Sequence, residues 1–244
     1  MTAPTAVVII PARMAANRLP GKPLADIAGV SMVVRVWRLA VAAGVGPVAV
    51  ATPDRAIADA VAAGGGTAVM TGADHLNGSS RCHEAAGLLD DRAEVVVNLQ
   101  ADMPTVAPET IRAAMALMTD RELAIGTACA EIADRRAAAD PNVVKVVGTP
   151  VADRVLRCLY FTRATAPFGP GPLYQHIGIY AWRRSALDRY VALPPSPLET
   201  RERLEQLRAL EAGMRIDAAV VDEVPPSVDT PADLERVRQM MAGH

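Results

Sequence analysis

Three cations, Arg13, Arg18 and Lys22, fall within ten positions of the segment Pro11 to Leu24, which also holds Pro20, Gly21 and Pro23. Cations so placed suit a polyphosphate, because they neutralise both its standing charge and the charge that develops as it is cleaved. A solvated basic loop is the alternative, but the prolines and the glycine restrict this one and favour a built site. Asp102, in Asn98-Leu99-Gln100-Ala101-Asp102-Met103-Pro104, follows a run of valines and suits Mg²⁺, which takes one or two carboxylates together with substrate phosphates and water. Asp229 is the leading candidate for a second carboxylate; its alternative role is to support a helix that starts at Thr230.

The usual phosphate fingerprints are missing. No G-x-G-x-x-G follows the first apolar run, Gly21-Lys22 lacks the upstream glycine and the following Ser or Thr of a P-loop, and Gly64-Gly65-Gly66 reads as a helix-to-strand turn. This argues against a nicotinamide dehydrogenase and a P-loop kinase, and for another nucleotide-binding scheme.

Such a site needs a sheet to carry it. Val7-Val8-Ile9-Ile10, Val48-Ala49-Val50 and Val95-Val96-Val97 are short β-branched runs that predict buried parallel strands. Helices are predicted between them over 31–43, with Val33, Val34, Trp37 and Val41 at helical spacing, and over 55–63 and 80–89. Strands separated by helices imply crossover units, with Arg13 and Asp102 following strands at one sheet edge, where α/β folds bind ligands. The later half predicts strands over 123–130, 143–147, 155–161 and 177–182, an antiparallel addition. A Pro- and Gly-rich loop covers 166–174. Leu198, Leu204, Leu207 and Leu210 predict one helix closed at Gly213. Thr230-Pro231 opens another, with Leu234, Val237 and Met241 on one face. His75 and His83 read as structural or surface residues, Trp37 and Trp182 as core or interface aromatics, and His244 has no argued role.

The chain has 244 residues, 51% of them hydrophobic and 21% charged. That length buries roughly 70% of the unfolded surface, which supports a single domain over 1–244 with an extension at about 123–197 for acceptor binding and dimerisation. A net charge of −2 excludes a general nucleic-acid or anionic-membrane surface. Cys82, Cys129 and Cys158 lack paired spacing and read as reduced thiols; with no secretory n- and h-region and no long apolar run, a cytoplasmic protein without membrane insertion is expected.

Several segments carry a resemblance that spans nearly the whole chain: IPARMAANRLPGKPL, ADHLNGSSR, VVNLQADMP, NVVKVV, LYFTRAT, HIGIYAWRR, PPSPLE followed by LEQLR, and VDTPADLERVR. In this order they resemble the 3-deoxy-manno-octulosonate cytidylyltransferases, or CMP-KDO synthetases. The resemblance implies a Rossmann-like nucleotidyltransferase fold, α/β, with a mixed, mainly parallel sheet and an antiparallel extension. It implies transfer of CMP from CTP to 3-deoxy-D-manno-octulosonate (KDO) with release of pyrophosphate, serving lipopolysaccharide biosynthesis, and a homodimer. Arg13 and Lys22 would meet the CTP phosphates, Asp102 and Asp229 would ligate Mg²⁺, and Asn77, Gly78, Ser79 and Arg81 would lie near cytidine. Gln100, Arg163, His176, Tyr180, Glu205 and Gln206 match positions associated with the sugar acid, and Arg163 could pair bidentately with its carboxylate.

The chain departs from the family where Asn77-Gly78-Ser79-Ser80-Arg81 replaces the typical Ser-Gly-Thr-Glu-Arg. It departs again where Gln100-Ala101-Asp102-Met103-Pro104 replaces Gln-Gly-Asp-Glu-Pro, and in a shorter loop before His176. Ala101 adds a methyl where substrate approaches, and Met103 is expected to remove a carboxylate from the rim. Two other readings follow: a cytidylyltransferase for another ulosonic acid, an 8-amino-KDO-like sugar or a small phosphonate, and a non-catalytic CTP-binding regulator.

Overall fold

The computed structural model describes residues 4–15, 18–89 and 92–242; Ala16 and Asn17 of the cationic segment, and His244, lie outside them. It divides into two compact units, one from Thr5–Arg112 with Pro225–His244 and one from Met1–Pro4 with Ala113–Val224.

The first unit begins with β1 (Ala6–Pro11), the two-residue strands β2 (Asp26–Ile27) and β3 (Val30–Ser31), and α1 (Met32–Ala43). It continues through β4 (Val48–Thr52), α2 (Arg55–Ala63), β5 (Thr67–Met70), α3 (Gly78–Leu88), β6 (Val95–Leu99) and into α4 (Pro108–Ala116). The strands lie in the order β5-β4-β1-β6 and every pair is parallel, with Val8 opposite Val48 and Val7 opposite Val96. Parallel pairing follows from composition: Val7 to Ile10 and Val95 to Val97 are buried on both faces, so no strand edge offers a polar side to water. The chain moves from β1 to β4 and β5 on one side and returns to β6 on the other, which puts a switch point at the carboxyl ends of β1 and β6.

Helix α1 is rotated from the face its spacing suggested. Its buried stripe is Met32, Val33, Val34, Val36, Ala40 and Ala43, whereas Val41 is 48% exposed and Trp37 only half-buried. Met32 is drawn inward by a cluster with Ile27, Val228, Leu234 and Val237, against which Leu19 and Met241 also pack. Full burial of such side chains is worth about 1.5–3 kcal/mol each, and here it pins α9 (Pro231–Ala242, the last helix) beside the cationic segment.

The second unit contains β7 (Ile125–Glu131), α5 (Arg135–Ala139), β8 (Lys145–Ala152), β9 (Val155–Thr162) and β10 (Tyr174–Arg183). After these come α6 (Arg184–Val191), α7 (Pro197–Glu202), α8 (Gln206–Glu211) and β11 (Ile216–Val221). The order is β10-β7-β11-β9-β8, antiparallel except for β11 with β7, and the first residues of β10 also pair with β8, Tyr174 opposite Val146. The expected antiparallel addition is therefore present, and the residues between β9 and β10 form the expected irregular loop, with Gly169 and Gly171 at positive φ.

The single helix expected from Leu198 to Leu210 is two. Arg203 adopts a left-handed conformation with φ 57°, and the Leu204 N–H reaches back to the Glu199 carbonyl at 3.2 Å, which closes α7 before α8 begins. The leucine spacing runs on across the break, but Glu202 is committed elsewhere: its carboxylate accepts from Thr162 Oγ1 at 2.8 Å and from the Arg163 N–H at 2.9 Å.

Candidate active site

A cleft of about 340 Å³ lies at the carboxyl ends of β1 and β6 in the first unit, and Arg13, Lys22, Asn77, Gly78, Arg81, Gln100 and Asp102 line it. Lys22 reaches it because Gly21, at φ 73°, turns the chain into a short 3-10 turn, Lys22–Leu24, whose Pro23 is buried. The turn folds back on its own loop, the Gly21 N–H donating to the Met14 carbonyl and the Lys22 N–H to the Leu19 carbonyl. Lys22 Nζ then donates to Asp102 Oδ2 at 2.9 Å and to Asp229 Oδ1 at 3.2 Å, and Arg18 approaches the same Asp229 oxygen at 3.2 Å. Burial pushes the Lys22 ammonium down, but Asp102 and then Asp229 more than offset it, so its pKa lies above the ordinary lysine value. Arg13 lines the cleft with an exposed side chain.

Asp229 is brought to Asp102 by the backbone: the Val228 N–H donates to the Asp102 carbonyl at 2.9 Å. The helix start next to it is capped without its carboxylate. Thr230 Oγ1 accepts from the Asp233 N–H at 3.2 Å, while Asp233 Oδ2 accepts from the Thr230 N–H at 2.9 Å, a reciprocal cap.

The start of α3 supplies another part of the cleft. Asn77 caps the helix, its Oδ1 accepting from the Ser80 N–H at 2.9 Å. Gly78 lets this turn dock closely, since a Cβ there would stand 3.2 Å from Pro11 Cγ and 3.3 Å from Gln100 Nε2. Ser79 is buried and accepts from Asn98 Nδ2 at 3.3 Å, and Asn98 Oδ1 in turn accepts from Gln100 Nε2 at 3.1 Å. Arg81 is buried as well, donating to Thr71 Oγ1 at 2.6 Å and the Gly72 carbonyl at 2.8 Å; burial first, then nearby Arg13, holds its pKa below the usual arginine value. Ser79 thus shapes the cleft from behind, and Arg81 braces its wall.

Two sequence expectations change. Met103 is 4% exposed and belongs to the hydrophobic core, so its side chain is not at a rim where a carboxylate would otherwise stand. His75, read as bland, lines the cleft, with Nδ1 3.3 Å from Ser80 Oγ and Nε2 in a short hydrogen bond to Glu84. Asn98 has no role in the sequence reading, although a polar residue inside the valine run before Gln100 is a signal for one. His75 offered none, because its partner lies nine residues later on a helix.

Of the residues matched to the sugar acid, Gln100 lies in this cleft and the other five lie in the second unit. His176 Nε2 is 2.9 Å from Thr127 Oγ1, its ring lies between Phe161 and Tyr180 at centroid distances of 5.0 and 5.3 Å, and burial pushes its pKa down to about 3, so the imidazole is neutral. Tyr180 donates to Gln206 Oε1 at 3.2 Å, and the buried Gln206 Nε2 has no hydrogen-bond partner, an unmet donor of the kind a bound ligand satisfies. Burial, and then the charge of Glu205, pushes the Tyr180 phenol well up. Glu205 sits at the cap of α8, its carbonyl accepting from Tyr190 Oη, and Arg208 lies 4.7 Å over the Tyr190 ring. Arg163 is partly committed: Nε donates to the Glu202 carbonyl at 2.8 Å and Nη1 to the Pro141 carbonyl at 2.9 Å, so a carboxylate would meet its terminal nitrogens only. Behind it, the buried Lys145 Nζ donates to the carbonyls of Asp140, Val143 and Arg163 at 2.9, 2.5 and 2.8 Å.

Cys82, Cys129 and Cys158 are buried thiols not joined in disulfides, and burial pushes the Cys129 thiol up to about 12. Among the described residues, no helix is long and apolar enough to cross a membrane.

Residues 7–216 match the model of the cytidylyltransferase family. The chain is 61% identical over 243 residues to a 3-deoxy-manno-octulosonate cytidylyltransferase of Rhodopseudomonas palustris (strain BisB5), covering 99% of both chains. It is 63% identical over 240 residues to the enzyme of that name from Azorhizobium caulinodans, covering 98% of this chain and 96% of the other. A solved structure of CMP:2-keto-3-deoxy-manno-octonic acid synthetase complexed with CTP superposes with a TM-score of 0.91 at 40% identity, covering 98% of each chain, and the expected nucleotidyltransferase fold is the fold they share. By full-length likeness in sequence and fold, and with the cationic segment and Asp102 gathered at one sheet edge, the chain belongs to the 3-deoxy-manno-octulosonate cytidylyltransferase family.

Proposed function

We propose that this protein transfers CMP from CTP to the anomeric hydroxyl of 3-deoxy-D-manno-octulosonate, releasing pyrophosphate. The observation that carries the reading is the meeting of Lys22 and Asp102 in a cleft bounded by the start of α3, with Asp229 on the same ammonium, in a chain that matches relatives named for this chemistry along its whole length. The acceptor oxygen forms a bond to the α-phosphorus as the bond to the bridging oxygen of the β-phosphate breaks; the hydroxyl proton passes to solvent and pyrophosphate leaves. Lys22 and Arg13 offset the charge that grows on the departing phosphates, an effect worth most where water is excluded. The three-residue chain Ser79, Asn98 and Gln100 keeps the wall at the end of β6 fixed, so CTP is received without rebuilding it.

The donor set fits Mg²⁺. Asp102 and Asp229 are hard oxygen donors that already converge on one cationic group. No group of three or more His, Cys, Asp or Glu side chains placed to hold a metal ion occurs among the described residues, so phosphate oxygens and water would complete the shell. When bound, Mg²⁺ supplies Lewis-acid charge to the phosphate oxygens. An assay that couples pyrophosphate release to a colour change, run with folded protein, Mg²⁺, CTP and KDO, is expected to show turnover that needs all three additions. Its absence would sink the acceptor assignment, and turnover with another ulosonic acid in its place would redirect it.

The working form is a homodimer in the cytoplasm. The β8 and β9 strands leave Val151 47% and Leu159 61% exposed, apolar positions suited to an isologous contact, and three cysteines without a disulfide suit a reducing compartment. Light scattering at assay concentration should give twice the 25.7 kDa chain mass; a monomer alone would remove this part of the reading.

A further inference from the structure

The segment between β5 and α3, residues 71–77, brings His75 and Asn77 to the cleft, and a continuous hydrogen-bond circuit ties it to α3. Arg81 holds Thr71 Oγ1 and the Gly72 carbonyl. The Gly72 N–H donates to both oxygens of Glu84, at 3.2 and 3.0 Å, so Gly72 is gripped at both of its polar backbone groups. The same carboxylate accepts from His75 Nε2, and the other ring nitrogen of His75 lies 3.3 Å from Ser80 Oγ. Ser80 completes the circuit, its hydroxyl donating to the Asn77 carbonyl at 3.0 Å and its N–H to Asn77 Oδ1 at 2.9 Å. The histidine bond, helped by the Gly72 N–H and opposed by desolvation, holds the Glu84 carboxyl below its usual range, so it is an acceptor at neutral pH.

Without this circuit, residues 71–77 would be a loop free to sample other shapes, and a nucleotide would have to order it on binding. We infer that His75 and Glu84 are positioning residues for the nucleotide, preforming the wall that Asn77, Gly78 and Arg81 present to CTP. The inference rests on the reading that CTP occupies this cleft, and neither side chain is required to touch the reacting atoms.

The test is CTP binding by titration calorimetry without acceptor, together with kcat and KM. His75→Ala and Glu84→Ala are each expected to weaken CTP binding about tenfold, the scale of one good hydrogen bond lost, with kcat at saturating CTP within about twofold of wild type. The double variant should also sit near tenfold, because the two side chains act through one circuit. Glu84→Gln retains an oxygen for the Gly72 N–H and a polar group for His75, and should stay within about twofold; this rescue separates positioning from a general loss of fold. Unchanged affinity in the alanine variants, additive losses in the double variant, or a tenfold loss in Glu84→Gln would each overturn the inference. Failure of wild-type protein to bind CTP would instead overturn the functional reading beneath it, and this inference with it.

Discussion

Lys22→Ala is expected to lower turnover about 10²- to 10³-fold, the usual cost of removing one donor aimed at developing charge. Lys22 is placed for that work by Gly21 and by the fold-back of its loop, and its ammonium is held by two carboxylates that a bound nucleotide's phosphates would rival. Removing it also takes from Asp102 the cation it shares with Asp229 and leaves Asp229 only the exposed Arg18, so some stability is lost too. Because the folded-state pKa of Lys22 lies above its ordinary 10.5, its stabilisation is complete at neutral pH and fades only as pH rises through that folded value. The melting difference between wild type and Lys22→Ala should therefore be constant from pH 6 to about 9 and shrink above about 10.5. Arg13→Ala is the companion variant, since an exposed cation does little for stability and its loss should appear in turnover alone. Rates at saturating substrates and melting curves across pH separate the two effects; undiminished turnover in both variants would refute the phosphate assignment.

Asp102→Asn should cut turnover about a hundredfold or more, because it keeps the side chain's size while removing the charge that holds a divalent cation, whose contribution amounts to several kcal/mol. CTP affinity should fall far less, since the walls formed by α3 and by Gln100 are untouched. Asp229→Asn should behave in the same way and leave the melting temperature close to wild type. The second expectation follows from the cap: Thr230 and Asp233 satisfy the start of α9 between themselves, and the Asp229 carboxylate faces Lys22 and Arg18 instead. Initial rates over a magnesium titration decide the matter. A wild-type magnesium response in either variant would remove that residue from the proposed metal site.

The parallel half of the fold was legible because Val7 to Ile10 and Val95 to Val97 are buried on both faces, and such strands announce themselves as unbroken apolar runs. The cationic segment and Asp102 were legible for a related reason, since each follows one of those runs directly. Less was visible where structure depends on partners distant in sequence. β11 escaped notice because Asp217 interrupts Ile216–Val221, and only the fold shows this buried carboxylate paired with Arg157 and Arg215. The break between α7 and α8 runs against the leucine spacing, being set by Arg203 and by the pull of Thr162 and Arg163 on Glu202. Met103 invited comparison with a glutamate, yet the strand-end turn points it into the core. The resemblance to a family named most of the candidate site; of the residues it left out, His75 and Glu84 are joined by geometry alone.

Lys145 carries a consequence for motion. Its buried ammonium is solvated by three backbone carbonyls, two of them in the stretch 140–143 that has no strand or helix of its own. Peeling that stretch away would strand a charge in the interior, so it cannot fray as irregular surface segments ordinarily do; it opens only when β8 opens. Slow amide exchange there would mark it as part of the strand's cooperative unit. Arg163, fastened to the carbonyls of Pro141 and Glu202, inherits the same persistence.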